Sequence, residues 1–200
     1  MANAFTRAEL ASRPFKLIEN YIYLYHTKTF IVIPVYPESI SDTMGATFNQ
    51  STPLTRSAPI FSYSHSGPRT VRLDFTLHRD MMQEVNWGKS NAVVNYGDDY
   101  IDTLIRLLQG MVIPRYSASS KLVDPPLVAV RFGNELFIKG VVTGNLGLSY
   151  EIPILKNNKY AQVKISFEIS EVQPYSAEEA MSAGSFRGLS SSLERNLWKR

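Results

Sequence analysis

Strict alternation of apolar and polar residues in one segment near the C-terminus constrains the fold more than any other feature of the sequence. The segment is Ala161–Glu171, in which the alternating apolar residues are Val163, Ile165, Phe167 and Ile169. Successive side chains of a β-strand point to opposite faces, so the pattern predicts a strand with one buried and one solvated face. Thr70–His78 has the same period and predicts a second such strand. A chain that contains both must bury the apolar face of a sheet.

Turn residues predict further strands beside these two. Leu127–Phe132 and Phe137–Val142 flank Gly-Asn at positions 133–134, which is a hairpin signal. The alternation resumes in Asn145–Tyr150, and a Lys-Asn-Asn-Lys turn then leads into Ala161–Glu171. The second half of the chain is therefore predicted to consist of consecutive antiparallel strands.

The segment from residue 17 to residue 33 is apolar on both faces. Tyr21, Tyr23 and Tyr25 share one face of a predicted strand, and the aliphatic residues between them share the other. Such a strand is covered on two sides, by its own core and by a second partner. The sequence His-Thr-Lys then predicts a break before a second strand at Thr29–Ile33.

One amphipathic helix interrupts the predicted strands. Asp98–Gly110 begins with two aspartates that suit a helix N-terminus, and Pro114 follows its closing glycine. The apolar residues at helical spacing are Ile101, Leu104, Ile105 and Leu108. This stripe predicts that the helix packs on one open face of the sheet.

Composition supports a mostly β protein with long connections. Eleven tyrosines and ten phenylalanines favour strands, and eleven glycines and eleven prolines punctuate the chain. Residues 34–69 are rich in Pro, Ser and Thr, and we predict a long interaction loop there, with room for short strands at Thr43–Asn49 and Ile60–Tyr63. The predicted organisation is an N-terminal arm at 1–16, a β domain at 17–175 and a C-terminal docking tail at 176–200. Leucines at four-residue spacing predict a short helix in that tail.

Residue types that carry catalysis or bind metal form no recognised motif in this sequence. The chain has no cysteine, and it lacks phosphate-loop, paired-histidine and nucleophile-elbow signatures. His78 shares a strand face with Asp74, but a polar outer face of the strand explains both residues. Helix capping likewise explains Asp98, Asp99 and Asp102, which could otherwise suggest a cation site. The sequence predicts a protein that is not an enzyme and holds no cofactor or metal.

Charge favours neither nucleic acid nor a membrane as a partner. The 21 basic and 18 acidic residues leave a net charge of only +3. A candidate nucleic-acid surface consists of Arg69, Arg72, Arg79, Tyr63 and His65, but pairing at a protein interface is the better interpretation of so few basic residues. No apolar run approaches the ~18 residues of a membrane span, and residues 1–16 lack the apolar core of a signal peptide.

Two segments resemble a known family. Residues 34–80 contain Pro-Glu-Ser-Ile at 37–40, Arg-Ser-Ala-Pro at 56–59 and a Gly-Pro-Arg turn before an alternating strand that ends in Leu-His-Arg-Asp. Residues 125–175 contain Phe-x-x-Gly-Val-Val at 137–142, a proline-containing loop and an alternating strand that ends in Glu-Val. This order resembles the hairpin-rich core of baseplate hub and tube-adaptor proteins of contractile phage tails, which also occurs in the tube-protein domains of contractile injection systems.

The resemblance implies both a fold and an assembly. The implied fold is tail-tube-like, a β-sandwich or split barrel with one flanking helix, here with extended loops and a C-terminal helical tail. The implied assembly is a hexameric ring around the tail channel, which joins the tail tube protein to the hub or spike proteins and lets DNA through only as cargo. The implied location is the baseplate of a virion that is assembled in the host cytoplasm, as a hub subunit or as a tube initiator.

On this interpretation we predict that aromatic, arginine and leucine side chains contact neighbouring subunits. The predicted contact residues are Tyr21, Tyr23, Tyr25, Arg56, Arg69, Leu193 and Trp198.

Two other functions stay open from the residues alone. One is a β-barrel module that binds single-stranded nucleic acid or carbohydrate on the tyrosine strand, which salt-dependent binding of an oligonucleotide would favour. The other is a hydrolase that uses His78, Asp74 and the acidic start of the helix, for which loss of activity in His78→Ala is the minimum requirement.

Overall fold

The computed structural model describes residues 20–33, 35–54, 57–82, 99–116, 122–133, 135–172 and 177–182. Within these ranges the strands are β1 (Asn20–Leu24), β2 (Thr29–Val32), β3 (Ser39–Thr43), β4 (Ala46–Ser51), β5 (Ile60–Ser66), β6 (Thr70–His78), β7 (Arg115–Tyr116), β8 (Val123–Asp124), β9 (Leu127–Phe132), β10 (Leu136–Ile154) and β11 (Tyr160–Glu171). The helices in the same ranges are α1 (Arg79–Met82), α2 (Tyr100–Gln109) and α3 (Ala177–Ser182). The described chain is therefore mostly β, with α2 as its longest helix.

Seven of the described strands form one antiparallel sheet in the order β2-β1-β9-β10-β11-β6-β3. The two strongly alternating segments are neighbours in it, because β11 pairs with β6 from Gln162 opposite His78 to Ser170 opposite Thr70. The strands β9, β10 and β11 follow one another as hairpins, which confirms that part of the prediction. Two smaller sheets consist of β4 with β5 and of β7 with β8.

The main core lies between the inner face of the sheet and α2. The alternating apolar residues of β6 and β11 are all buried there: Val71, Leu73, Phe75, Leu77, Val163, Ile165, Phe167 and Ile169. The apolar stripe of the helix belongs to the same cluster: Ile101, Leu104, Ile105 and Leu108. Burial of each such side chain stabilises the fold by about 1.5–3 kcal/mol. The predicted packing of one helix on the sheet is confirmed.

The sheet is strongly curved around this core. The strands β6 and β9 are three positions apart in the strand order, which corresponds to about 14 Å in a flat sheet. The ring centroids of Phe75 on β6 and Phe132 on β9 nevertheless lie only 5.4 Å apart. Phe75 also stacks on Phe167 of β11, with a centroid distance of 5.9 Å. The curvature brings the inner faces of distant strands together, while β2 and β3 remain the two edges.

The N-terminus of α2 shows the predicted acidic capping. The side chain of Asp99 accepts a hydrogen bond from the backbone N–H of Asp102 (2.9 Å), and the Asp102 side chain accepts one from the backbone N–H of Asp99 (3.5 Å). This reciprocal capping box satisfies backbone donors that the helix leaves unpaired. Asp99 is thus the cap, Gly110 ends the helix as predicted, and Asp98 lies outside the described residues.

The strands β1 and β2 form a hairpin around the predicted break. Lys28 has a φ of 56° in the connecting turn, which is the left-handed region. Ile22 and Leu24 face the main core. Tyr21, Tyr23, Phe30 and Ala129 form a second apolar cluster on the opposite face. The prediction that both faces of this strand are covered is confirmed.

Several predicted boundaries need correction. The short helix α1 at Arg79–Met82 was not predicted. β10 continues where the sequence predicts two strands, because an irregular β10–β11 register between Thr143 and Gly147 absorbs the extra residues. Residues 34–69 contain three strands: β4 and β5 overlap the two short strands that the sequence allows within the predicted loop, and β3 was not predicted. The predicted N-terminal arm and the leucine helix of the tail lie outside the described residues. None of the described helices is long and apolar enough to cross a membrane.

A tyrosine hydroxyl on α2 forms a hydrogen bond with one backbone carbonyl of the edge strand β2. Ile33 N–H donates to the carbonyl of Asn20 (3.1 Å), so by alternation the backbone groups of Val32 point away from β1. The Tyr100 hydroxyl donates to the Val32 carbonyl, and burial raises the pKa of Tyr100 from 10.0 to about 12. The phenol therefore keeps its donor proton well into alkaline conditions, and it ties the helix to this edge.

Tyr100→Phe is expected to lower the free energy of unfolding by about 1 kcal/mol at neutral pH, because the Val32 carbonyl loses its donor. The raised pKa of Tyr100 contributes stability that is fully present below pH 10 and is lost as the pH rises toward 12. Urea unfolding at several alkaline pH values should therefore show a shallower pH dependence in the variant than in the wild type. Tyr116→Phe, at a position that is 73% exposed, is the control. Identical alkaline slopes in wild type and Tyr100→Phe would contradict this role.

Candidate interaction surfaces

The strands β4 and β5 project from the sheet as a separate hairpin, here called the aromatic hairpin. The last pair between β3 and β6 is Thr43 with Thr70, and the aromatic hairpin continues these two strands beyond that pair. A hydrogen bond from Gly67 N–H to the Gly45 carbonyl (2.8 Å) links the two chain segments at the junction. Six residues of β4 carry it about 20 Å beyond this point. Every residue of β4 and β5 is exposed, in contrast to the alternating burial of β6.

The strand register places the aromatic side chains of this hairpin on one face. Phe48 is directly opposite Tyr63, and Gln50 is opposite Phe61, so all four residues share a face. The rings of Phe48 and Tyr63 meet edge to face with centroids 5.7 Å apart. Phe48, Phe61 and Tyr63 remain 54%, 61% and 59% exposed. The hairpin thus presents an organised aromatic face to its surroundings.

The opposite face of the aromatic hairpin is mostly polar. Asn49 pairs with Ser62 there, and neither β4 nor β5 contains Asp, Glu, Lys or Arg. An isolated two-stranded hairpin is marginally stable in water unless its apolar face is buried. Exposed aromatic residues in a neutral surround are typical of the centre of protein interfaces. The chemistry of this hairpin therefore suits contact with an apolar protein surface.

A second exposed apolar region lies where β10 and β11 extend past the sheet. This region, the distal tip, comprises residues 150–160. Its exposed apolar side chains are Tyr150 (47%), Ile152 (78%), Ile154 (58%) and Tyr160 (39%). The last pair between β11 and β6 is Gln162 with His78, so among the described strands none lies beside most of the β10–β11 tip.

Most charged groups near the distal tip are paired within the chain, whereas Lys156 in the turn is exposed and makes no ion pair within the described residues. Lys164 Nζ lies 2.8 Å from a carboxylate oxygen of Glu151. Lys159, in the turn between β10 and β11, forms ion pairs with Asp99 and Asp102 at the start of α2. The hydrogen bond with Asp102 is the main cause that raises the pKa of Lys159 above its ordinary value. Outside its turn, which carries Lys156 and two asparagines, the tip exposes mainly apolar side chains.

Arg79 joins the tip to the helix. Its guanidinium is buried and contacts both helix-capping carboxylates, Asp99 and Asp102, the second at 2.9 Å. Its Nε also donates to the Tyr160 carbonyl (2.7 Å). Burial alone would raise the pKa of Asp102, but the hydrogen bonds from Lys159 and Arg79 hold it below its ordinary value. The cluster fixes β11, α1 and α2 to one another.

Arg69 occupies the base of the aromatic hairpin. Its guanidinium makes a bidentate contact with Asp42 on β3, with the shortest N–O distance at 2.6 Å. It also donates to the Phe137 carbonyl (3.4 Å) and lies 3.9 Å from Glu171. The described partners of Arg69 belong to its own chain and hold the edge strand β3 in place, and its contact with another subunit stays a prediction.

The predicted tyrosine surface lies mostly inside the protein. Tyr21 is 0% and Tyr23 5% exposed, and both pack against Phe30 in the second apolar cluster. Tyr25 is half-buried, with its ring 5.0 Å from Lys139 Nζ. Tyr21 and Tyr23 therefore offer no surface for a neighbouring subunit. The other predicted contact residues, Arg56, Leu193 and Trp198, lie outside the described residues.

The alternative sites find little support in the geometry. His78 is exposed and four residues from Asp74 on one strand, a separation of about 13 Å, and Asp74 instead bonds Ser39 (3.0 Å). Among the described residues, no cluster of carboxylates and histidines has the arrangement of a metal site.

The arginines of the candidate nucleic-acid surface form ion pairs with carboxylates of the same chain. Arg72 pairs with Asp74 (3.4 Å), while Arg69 and Arg79 have the partners described above. These ion pairs reduce the positive charge that a phosphate backbone would attract.

The sequence alone missed Phe48 and Phe61. The signal was present as Phe-x-Tyr at positions 61–63 in an uncharged segment, a short alternation that also predicts a strand. The sequence allows short strands at both places but indicates no contact role for Phe48 or Phe61, and only the cross-strand register places Phe48 on the same face as Phe61 and Tyr63.

No protein-family model matches this chain, and no curated protein matches it in sequence.

Proposed function

We propose that this protein is a structural subunit of a contractile phage tail, which forms a ring and joins the tail tube to the central hub or spike of the baseplate. The observation that carries the proposal is the aromatic hairpin, an uncharged two-stranded element whose apolar face is exposed. Its chemistry is that of a contact surface. The resemblance of residues 34–80 and 125–175 to hub and tube-adaptor proteins supplies the identity of the assembly.

The open sheet supports assembly in a second way. Within the described residues β2 and β3 are its two edges, and every residue of β3 is exposed. Edge strands present unpaired backbone groups that another chain can use. A ring of identical subunits satisfies such edges repeatedly, because a head-to-tail contact that closes gives each copy the same two neighbours. Six copies are the number that the family resemblance implies.

The mass of the purified chain in solution, together with negative-stain images, tests this proposal. We expect ring-shaped oligomers with a central hole, formed alone or when purified contractile tail tubes are added. The variant Phe48→Ser/Phe61→Ser should reduce assembly at least tenfold, because it removes most of the aromatic face. The matched control is Asn49→Ser/Ser62→Ala on the opposite face of the same hairpin, which should assemble normally.

A chain that remains monomeric both alone and with tail tubes would contradict the proposal. Salt-dependent binding of a single-stranded oligonucleotide by that monomer would instead favour the binding-module function. Measuring both on one preparation therefore separates the two functions.

A further inference from the structure

We propose that the aromatic hairpin of one copy docks on the distal tip of another copy, so that these two surfaces form the contact between neighbouring subunits. The inference rests on the proposed self-assembly and deepens it by naming both sides of the contact. Phe48, Phe61 and Tyr63 provide one side, and Ile152 and Ile154 provide the core of the other.

The topology places the two surfaces at opposite ends of the sheet. The aromatic hairpin leaves the sheet beyond Thr70, at the end where β6 begins and pairs with Ser170. The distal tip leaves it beyond His78, where β6 ends and pairs with Gln162. The nine residues of β6 hold these ends about 30 Å apart. A hairpin about 20 Å long that starts at one end and projects away from the sheet cannot cover the tip of its own chain.

The two surfaces match in chemistry. β4 and β5 contain no Asp, Glu, Lys or Arg, so the hairpin suits an uncharged surface. The strands of the tip offer one, because Glu151 is paired with Lys164, and Lys159 is paired with Asp99 and Asp102. Lys156, in the turn, is the one charged residue of the tip that makes no ion pair within the described residues. When such a tip is buried in a contact, few charged groups lose both solvent and an ion-pair partner. This matters because burying an unpaired charge is costly in free energy.

The exposed area of the three aromatic side chains is large enough for the centre of an interface but not for a whole interface. At about 200 Å² for a whole aromatic side chain, the exposed fractions of Phe48, Phe61 and Tyr63 sum to roughly 350 Å². A standard interface buries about 800 Å² on each partner. The aromatic face therefore fits the central anchor of an interface whose polar rim the surrounding Ser, Thr and Asn residues complete.

A contact of this type is heterologous. Each copy uses its hairpin on one neighbour and its tip on another, so every copy in a closed ring has both surfaces covered. In an open assembly, the first and last copies keep one uncovered surface each. The alternative, a hairpin on a hairpin, would be isologous and would stop at a dimer.

Cysteine crosslinking tests the contact directly, since the chain has no cysteine of its own. Gln50→Cys lies on the aromatic face between exposed side chains, and Ile152→Cys lies at a 78% exposed position of the tip. We expect a short bis-maleimide to give a covalent dimer when the two variants are mixed, but not with either variant alone. A chain that carries both substitutions should give a ladder of crosslinked oligomers, and the last band reports the number of copies in the ring.

The outcomes separate this inference from the proposed function. Oligomers that form normally but crosslink only between two Gln50→Cys copies, or not at all, would overturn the hairpin-to-tip contact and leave the ring proposal standing. A protein that neither assembles nor crosslinks would overturn both. As a control, Ser62→Cys on the polar face of the hairpin should crosslink to Ile152→Cys at least fivefold less efficiently than Gln50→Cys.

Discussion

Phe75→Ala is expected to lower the free energy of unfolding by about 3–5 kcal/mol, which is a large share of the stability of a domain of this size. Phe75 is 3% exposed, and its ring contacts Phe132 across the curved sheet and Phe167 on the adjacent strand. The truncation removes the ring that fills the space between β6 and β9, and neighbouring side chains cannot collapse fully into the gap. Chemical denaturation followed by far-UV circular dichroism measures the loss.

Phe61→Ala is the matched control because it makes the same substitution on an exposed strand, at a position that is 61% exposed. It should change the free energy of unfolding by less than about 0.5 kcal/mol. Equal effects of the two substitutions would mean that Phe75 does not lie in a packed core and that the sheet is not curved as described. The contrast therefore tests the fold and the exposure of the aromatic hairpin together.

Arg79→Met is expected to cost about 3 kcal/mol of stability, the second-largest effect we predict. The substitution keeps most of the side-chain volume but leaves Asp99 and Asp102 with Lys159 as their remaining described cation. It also removes the donor to the Tyr160 carbonyl. Both carboxylates are partly solvated, which places the expected cost at the lower end of the range for a broken buried ion pair. Urea unfolding at neutral pH measures this effect.

The acid range gives a second measurement of the same cluster. The lowered pKa of Asp102 contributes stability that is fully present above its ordinary value of 3.8 and is lost as the pH falls through the lower folded value. Arg79→Met removes one of the groups that lower this pKa, so the variant should lose less additional stability between pH 5 and pH 2. Arg72→Met, whose side chain is 60% exposed and paired with Asp74, should cost less than about 1 kcal/mol. A cost for Arg79→Met no larger than that of Arg72→Met would show that the buried cluster does not hold β11 to α2.

The sequence predicted the elements whose signals are local. The two-residue spacing of Val71, Leu73 and Phe75 identifies β6 without knowledge of its partner strands, because successive side chains of any strand point to opposite faces. The cap of α2 was predicted in the same way, since Asp99 and Asp102 interact across a single helical turn. The hairpin of β9 and β10 followed from its turn residues, which fix the pairing of adjacent segments.

The candidate contact residues were harder to predict, because exposure depends on parts of the chain that are distant in sequence. Tyr21 and Tyr23 are typical of a protein interface by residue type, yet Phe30 and Ala129 pack against them in the same chain. Phe61 lies in a short predicted strand within the proline-rich loop, and it stays exposed because this strand pairs with β4 beyond the end of the main sheet.

The sequence by itself therefore determined the period of the strands, the capped helix and the turns, because each depends on residues within a few positions of one another. Only the tertiary structure decided that β11 lies beside β6, that the sheet curves until Phe75 meets Phe132, and that Arg79 is enclosed by the carboxylates of α2. It also decided that one hairpin projects with its aromatic face exposed. Each of these contacts joins residues that are tens of positions apart in the sequence. The free energy that favours them comes from burial, strand pairing and ion pairs between distant segments, so no local segment contains the information.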